Sequence, residues 1–419
     1  MAQLSDDSFA FGGKLMPVDD ATAILSSRVR LVEHVEIVDL GHADGRILAA
    51  DICAPLPLPP FTNSAVDGYA VSSRDLSRDP TREFTIVGRI KAGAAAVEAL
   101  TPGRAVRIFT GAAMPVGADT VFMQEDVRLD ASGNVILPPG LKAGANVRPM
   151  MGEDFAAGVT ALPAGRRMRP QDVVLAAALG LTQIEVRRRI RVAVFSTGDE
   201  IVSPGGFRGA TQLFDSNHFM LIAMAARFAC EVSDLGILRD DRASLAGALR
   251  QATGSHDLIF TTGGVSTGEE DHVKVAVETV GSLVLLRMAI KPGRPVAMGI
   301  IEGTPFIGLP GNPVASFVTF AHVVRPTILA LAGAIQQKLM PMPVRAAFGY
   351  KKKIGRRKYV RVSLRWGSTG VLEAERFPRE GAGLLSSLVE TDGLVELGEE
   401  ITLVEPGQTV GFLSYAILS

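Results

Sequence analysis

Apolar positions along the chain change period several times, and each change marks a change of element. Over residues 16–32, Val18, Ala21, Ile24, Leu25 and Val29 fall near helical spacing, which predicts a short amphipathic helix. Asp19 and Asp20 stand near its start, where the helix dipole favours negative charge. The run Pro55-Leu-Pro-Leu-Pro-Pro60 can only be extended and is expected to link two domains. From 66 to 149 the pattern is β: the short runs Phe84–Ile90, Ala105–Thr110, Thr120–Met123 and Val135–Leu137 are separated by turn residues. One apolar helix is expected over 170–182, followed by a basic strand with Arg187, Arg188, Arg189 and Arg191.

The region 188–335 alternates between the two periods. Strands are expected at Arg191–Phe195, Val232–Leu238, Leu258–Thr262, Leu283–Met288, Val296–Ile301 and Phe306–Leu309. Helices are expected from the cap-forming Asp215-Ser216-Asn217 to Ala229, over Ala243–Ala252, near 271–280 and over 313–331. Such alternation predicts a doubly wound α/β sheet, which binds ligands at the carboxyl ends of its strands. The last stretch of about 80 residues returns to short β runs. Its charge is polarised: 345–380 holds 11 Lys/Arg against 3 Asp/Glu, whereas 381–419 holds 6 acids and no base.

Composition narrows the function classes. At about 150 residues per domain, the 419-residue chain should hold roughly three domains. With 43 Lys and Arg against 44 Asp and Glu, the electrostatic case for a dedicated nucleic-acid binder is removed. The longest apolar run, Val173 to Leu181, is nine residues, about half of the ~20 a membrane span needs, so no membrane association is expected. Asp6 and Asp7 argue against a secretory signal, and Cys53 and Cys230 lack metal-ligand spacing, so a cytoplasmic location is expected. Glycine, at 44 residues, is enriched above the typical ~7%, which implies many sharp turns.

Several of those turns have chemical potential. Thr261-Thr-Gly-Gly-Val-Ser-Thr-Gly268, between a strand and a helix, reads either as a nest of backbone N–H groups for an anion or as a glycine turn alone. Three acid-bearing loops accompany it: Asp199-Glu200, Asp240-Asp241 and Glu269-Glu270-Asp271. Carboxylates at strand ends beside a phosphate loop suit Mg²⁺, although capping alone accounts for Asp240 and Asp241 before a helix. Lys291-Pro-Gly-Arg294-Pro295 places two cations on a proline-stiffened turn, suited to a tetrahedral oxyanion. Leu309-Pro-Gly-Asn-Pro313 is a second stiff loop, which also reads as a plain strand-to-helix connector. Lys351-Lys-Lys353 with Arg356-Arg-Lys358 is either a solvated face or a landing site for an anion.

Together these segments resemble the molybdopterin molybdenumtransferase family, the MoeA proteins and the E domains of gephyrin-type proteins. The markers run in order from about residue 15 to the carboxyl terminus: PPFTNSAVDGYAV, RIFTGA, VRPMMGED, FSTGDE, LGILRDD, TTGGVSTGEEDHVK, AIKPGRP and GLPGNPVASF. The resemblance implies a multi-domain α/β plus β protein. A central doubly wound α/β/α domain of molybdopterin-binding type would be flanked by β-rich domains and end in a small C-terminal β-barrel. The implied boundaries are 1–60 with 150–187 for a discontinuous linking and dimerisation domain, 61–149 for a β-rich insert, 188–335 for the catalytic α/β domain and 336–419 for the barrel.

The implied reaction converts adenylylated molybdopterin and molybdate into molybdenum cofactor and AMP, with Mg²⁺ as divalent ion, in a homodimer. The molybdopterin-adenylylating protein and downstream molybdoenzyme maturation proteins would be its partners. By the same resemblance Asp67, Thr110, Asp154, Glu200, Asp240 and Asp271 form the catalytic polar set, with Asp199, Glu200, Asp240 and Asp271 as Mg²⁺ ligands. Substrate contacts would fall to Gly263, Gly264, Ser266, Lys291, Arg294, Pro295, Pro310, Pro313, Arg356, Arg361, Ser386 and Ser387. The chain departs from the family pattern at Thr62, Val66, Arg294 and Ala382, and at Lys358, which stands where an acid is usual. Two other readings remain: a scaffold, as gephyrin-type E domains also bind receptor segments, and a relative handling tungstate, an oxyanion of nearly the same shape and charge.

Overall fold

The computed structural model describes residues 15–76, 82–94, 99–148, 152–239, 241–263, 272–293, 295–335 and 338–418, with only the backbone described at Leu25, Ser26, 284–287 and Pro295. The chain divides into two compact units, 1–50 with 164–170 and 183–419, and 51–163 with 171–182.

At the centre of the first unit is a six-stranded sheet. Its order is Cys230–Leu238, Ile190–Thr197, Leu258–Thr262, Thr304–Leu309, Pro295–Ile301, Gly281–Arg287. The first four strands are parallel, and Pro295–Ile301 runs antiparallel to both neighbours. Side-chain alternation explains why both faces are covered. Val192, Val194 and Phe260 point into one core with the helix Asn217–Ala226 and the segment Pro313–Leu331, while Ala193, Phe195 and Ile259 point into another with Arg242–Thr253 and His272–Val280. This is the expected doubly wound arrangement, with each expected strand and helix present to within a few residues.

Pro313–Leu331 is long and apolar enough to cross a membrane, with a mean hydropathy of 1.6, although polar residues such as Ser316, Thr319 and Arg325 divide it into short apolar runs. It is 89% buried inside the unit and is therefore a core helix, apolar on all sides because it is enclosed on all sides. A π-helical turn, Phe320–Val324, interrupts it.

The amino-terminal helix Val18–Arg28 belongs to this unit, and Asp19 does more than complement the helix dipole: its carboxylate accepts two bonds from Arg357, at 2.9 and 3.1 Å. The carboxyl-terminal strands close on themselves. Arg357–Trp366, Leu372–Arg376, Met342–Ala346, Thr409–Ser414 and Gly393–Leu397 pair in that order, and the last pairs back with the first. The result is a five-stranded barrel filled by Val344, Val360, Val362, Ala374, Val395 and Phe412.

The second unit is built on the sheet Thr120–Met123, Gly68–Val71, Arg104–Ile108, Glu83–Ile90, Val135–Ile136, Arg128–Leu129. Tyr69, Phe84 and Phe122 fill one face, and Ile90, Val106 and Val121 the other. The chain enters this unit between Ala50 and Asp51, so the proline run 55–60 lies within it, where Leu58 bridges to Phe155.

Candidate functional site

In the first unit the parallel strands Ile190–Thr197, Leu258–Thr262 and Thr304–Leu309 end side by side, so the loops that follow them emerge together. Gly263 is the joint. Its φ is +87°, and a Cβ would lie 2.7 Å from the Thr197 carbonyl oxygen, so only glycine fits without strain. Its N–H donates to the Leu309 carbonyl. Gly264 and Ser266 of the same loop lie outside the described residues, as do Asp240, Asp271 and Arg294.

Asn217, expected as part of a helix cap, ties these ends together. Its Nδ2 donates to Thr262 Oγ1 at 3.0 Å and to the Gly311 carbonyl at 2.6 Å, and Ser316 Oγ donates to the Pro310 carbonyl at 2.6 Å. Pro310 is buried within this frame. The cap itself comes from Asp215, whose Oδ1 accepts from the His218 N–H. Asp241 is likewise a cap: it accepts from the Ser244 N–H at 2.9 Å, and the Ser244 side chain first, then this backbone bond, hold its carboxyl below the usual range.

Asp199 and Glu200 differ from Asp241. The backbone of their loop is tied, with the Glu200 carbonyl accepting from Leu213 N–H and the Asp199 carbonyl from Gln212 Nε2, while both side chains are exposed. Just before them, the buried hydroxyls of Ser196 and Thr197 have no hydrogen-bond partner. Two exposed carboxylates on a fixed loop suit Mg²⁺, which takes one or two carboxylates and fills its shell with water and substrate oxygens. Among the described residues, no group of three or more His, Cys, Asp or Glu is placed to hold a metal ion by itself.

The barrel contributes the segment 381–387 to the same region. The Ala382 carbonyl accepts from Val314 N–H at 3.0 Å, so a free donor at the amino end of the helix Pro313–Thr319 is already taken. Pro313 and Pro310 have no N–H to donate; Pro310 accepts from Ser316 Oγ through its carbonyl, and Pro313 opens the helix. Arg361 Nη1 donates to the Gly381 carbonyl at 2.6 Å and to Ser387 Oγ at 2.8 Å, while Ser386 Oγ accepts from Arg379 at 3.3 Å. Ser387 is fully buried and positions Arg361, whereas Ser386 is partly open.

Lys291 lies on the short strand Ile290–Lys291, which pairs in parallel with the barrel strand Arg357–Trp366 so that Lys291 stands opposite Lys358. Between them opens a cleft of about 360 Å³ lined by Lys291, Tyr350, Lys351, Lys352, Lys353, Arg356 and Lys358. The basic run thus faces the Lys291 turn, an arrangement the sequence left undecided. Lys352 is anchored, donating to the carbonyls of Arg356 at 2.8 Å and Glu399 at 3.3 Å. The Lys358 amine sits 5.6 Å from the Tyr350 ring centroid. Burial and the Lys291 charge push its pKa down to about 8, against the attraction of Glu380.

In the second unit, Asp67 and Thr110 form one element of chemistry. Asp67 Oδ1 accepts from both the backbone N–H and the hydroxyl of Thr110, each at 2.8 Å, and these bonds hold its carboxyl below the ordinary range. The turn depends on Gly68, where a Cβ would overlap the Phe122 carbonyl. Arg107 lies beside this pair, over the rings of Tyr69 and Phe109, and donates to the Gly68 carbonyl. Asp154 is exposed, its N–H bonded to the Leu58 carbonyl.

Comparison with known proteins agrees with this geometry along nearly the whole chain. Residues 16–180 match the MoeA N-terminal region (domain I and II), 193–330 the probable molybdopterin binding domain and 343–415 the MoeA C-terminal region (domain IV). A molybdopterin molybdenumtransferase of Haemophilus influenzae is 36% identical over 94% of this chain and 98% of its own. One from Nostoc is 33% identical over 92% and 90%. Among solved structures, the molybdopterin biosynthesis MoeA protein of Pyrococcus horikoshii superposes with a TM-score of 0.80 at 28% identity, covering 96% of this chain and all of that one. Its sheet order, its barrel and the matches on all three regions lead to one conclusion: the chain belongs to the molybdopterin molybdenumtransferase family.

Proposed function

We propose that this protein inserts molybdenum into molybdopterin, using adenylylated molybdopterin and molybdate as substrates and releasing molybdenum cofactor and AMP. The observation that carries this reading is the meeting of Lys291 with the basic strand residues of the barrel at one cleft, in a unit that also bears the exposed Asp199 and Glu200 after a strand end. A phosphoanhydride substrate and a tetrahedral dianion both need positive charge, and the cationic cleft supplies it on backbone held by strand pairing, which lowers the ordering cost on binding. In this reading Lys291 and Arg294 hold molybdate, and the Gly263–Gly264–Ser266 loop takes the adenylyl end. Arg361, oriented by Ser387, and Ser386 face the pterin side. Asp199, Glu200, Asp240 and Asp271 would hold Mg²⁺, which when bound neutralises charge on the pyrophosphate. Asp67, Thr110 and Asp154 complete the polar set carried over from the family.

A homodimer acting in the cytoplasm, supplied by a molybdopterin-adenylylating protein and serving molybdoenzyme maturation proteins, belongs to the same proposal. The deciding experiment incubates purified protein with adenylylated molybdopterin, Mg²⁺ and molybdate and measures AMP and cofactor. Stoichiometric AMP and cofactor support the enzyme; neither product, from a folded protein, leaves a scaffold. Replacing molybdate by tungstate in the same assay tests the remaining alternative.

A further inference from the structure

In the second unit the Asp67–Thr110 pair leaves half of a carboxylate unused. Oδ1 accepts both bonds from Thr110, whereas Oδ2 of the partly exposed Asp67 has no partner among the described residues. Arg107 fixes the backbone on which this pair stands. It lies opposite Tyr69 in the pairing of Gly68–Val71 with Arg104–Ile108. Its guanidinium is 5.0 Å from the Tyr69 ring centroid and 4.9 Å from that of Phe109. From there it grips two groups that flank Asp67. Nη1 donates to the carbonyl of Gly68, the next residue, at 3.0 Å. Nη2 donates to the side-chain oxygen of Gln124, whose backbone N–H donates to the Asp67 carbonyl at 3.1 Å. Among the described residues no ion pair joins Arg107 to Asp67, so the guanidinium acts on the chain that carries the carboxylate. A rigid fork of donors can make both bonds at once, which the single ammonium of lysine does less well. The backbone N–H of Thr110 first, then its hydroxyl, and the charge of Arg107 after them hold the Asp67 carboxyl below its ordinary range, against desolvation. The other charged groups of this corner are Arg89, 4.6 Å over the Phe109 ring, and Glu125, which accepts from Gln124 Nε2.

We propose that Arg107 is a positioning residue of the reaction: by clamping Gly68 and Gln124 it holds Asp67 in the geometry where Thr110 occupies Oδ1 and Oδ2 stays open to the substrate. The inference rests on the reading that Asp67 serves molybdenum insertion.

The test joins AMP-release kinetics to a titration of Asp67 itself. Arg107→Gln removes the charge and the fork. It should lower kcat about ten- to a hundred-fold, the scale on which misplacing a reacting group acts. The half-saturating concentrations of molybdate and pterin should stay near wild type, and the acid limb of the pH profile should move up, because Asp67 then takes its proton more readily. Arg107→Lys keeps the cation and should restore the acid limb but only part of kcat. In an Asp67→Asn background Arg107→Gln should cost nothing further, since it acts through that carboxylate. Equal losses in both backgrounds, or a wild-type kcat in Arg107→Gln, overturn the proposal. Melting curves show whether Arg107→Gln folds; where it does not, Arg107→Lys carries the kcat test, and a wild-type kcat there overturns the proposal equally. The second readout needs no turnover. In carbon NMR of protein labelled at its aspartate carboxyl carbons, the Asp67 signal is identified by its loss in Asp67→Asn. Its titration midpoint should lie higher in folded Arg107→Gln than in wild type, and an unchanged midpoint overturns the proposal. Wild type that makes no cofactor while this midpoint still moves marks failure of the molybdenum-insertion reading and leaves the clamp supported.

Discussion

Lys358 shows how one residue couples charge to stability. Its pKa lies near 8 where a free lysine has 10.5, through burial first and then Lys291, with Arg361 and Arg376 adding repulsion and Glu380 opposing them. Between about pH 8 and 10.5 the unfolded chain therefore binds more protons than the folded one, and the contribution of this group to stability rises with pH across that window. Lys358→Met should raise the melting temperature at pH 7 by roughly 1–3 °C and flatten the rise above pH 8, read from thermal melts between pH 7 and 10. At the neighbouring position, Lys291→Ala should raise the half-saturating molybdate concentration about ten- to a hundred-fold, through loss of one charge-assisted bond. An unchanged molybdate dependence in AMP-release assays, with a raised pterin requirement, would move Lys291 from molybdate to phosphate.

At the scale of elements, the core helix Pro313–Leu331 and its partner Asn217–Ala226 set the site by polar bonds made inside an apolar core. Asn217→Ala removes the bonds to Thr262 Oγ1 and the Gly311 carbonyl; Thr262 keeps its contact with Ser316 Oγ at 3.4 Å and Gly311 is exposed, so the cost is that of the lost bonds, about 0.5–1.5 kcal/mol each. A lower denaturant midpoint should accompany a lower turnover number, because the Pro310–Pro313 loop loses its anchor; a variant with both values intact would show that the helix packing alone holds the loop. The π-helical turn places His322 fully inside, its ring 4.6 Å from that of Tyr359, and burial with the charges of Arg357 and Arg325 holds its pKa down to about 3. From pH 6.5 down to 3 the unfolded chain takes up a proton that the folded one refuses, so stability falls as pH drops through that range. His322→Phe should lessen this loss, compared by melting temperature at pH 6 and pH 4.

For the whole molecule, the expectation is a homodimer. Sedimentation at micromolar concentration should give twice the 44.3 kDa chain mass, and a stable monomer would contradict it. The near-neutral total charge conceals a segregated one, since the barrel's basic strands face one cleft while its last residues carry only acids. Anion binding to that cleft should therefore weaken with salt although the chain as a whole is close to neutral, a dependence that titration at two ionic strengths will measure.

The alternation of strand and helix over 188–335 was legible in the sequence because the period of apolar residues is a local property: Val192 and Val194 alternate with Ala193 and Phe195, and the two sets fill different cores. Turn chemistry was legible for the same reason, down to Asp241 as a cap. What only the tertiary structure decided were pairings between distant segments. Asp67 meets Thr110 across 43 residues, Asn217 meets Gly311 across 94, and Lys291 faces Lys358 through a strand pairing that no local pattern specifies. Composition likewise cannot say whether Pro313–Leu331 is enclosed by lipid or by protein, because both environments select the same apolar side chains. Register between remote strands follows from burying both faces at once, a condition on the whole fold that no single window of residues contains.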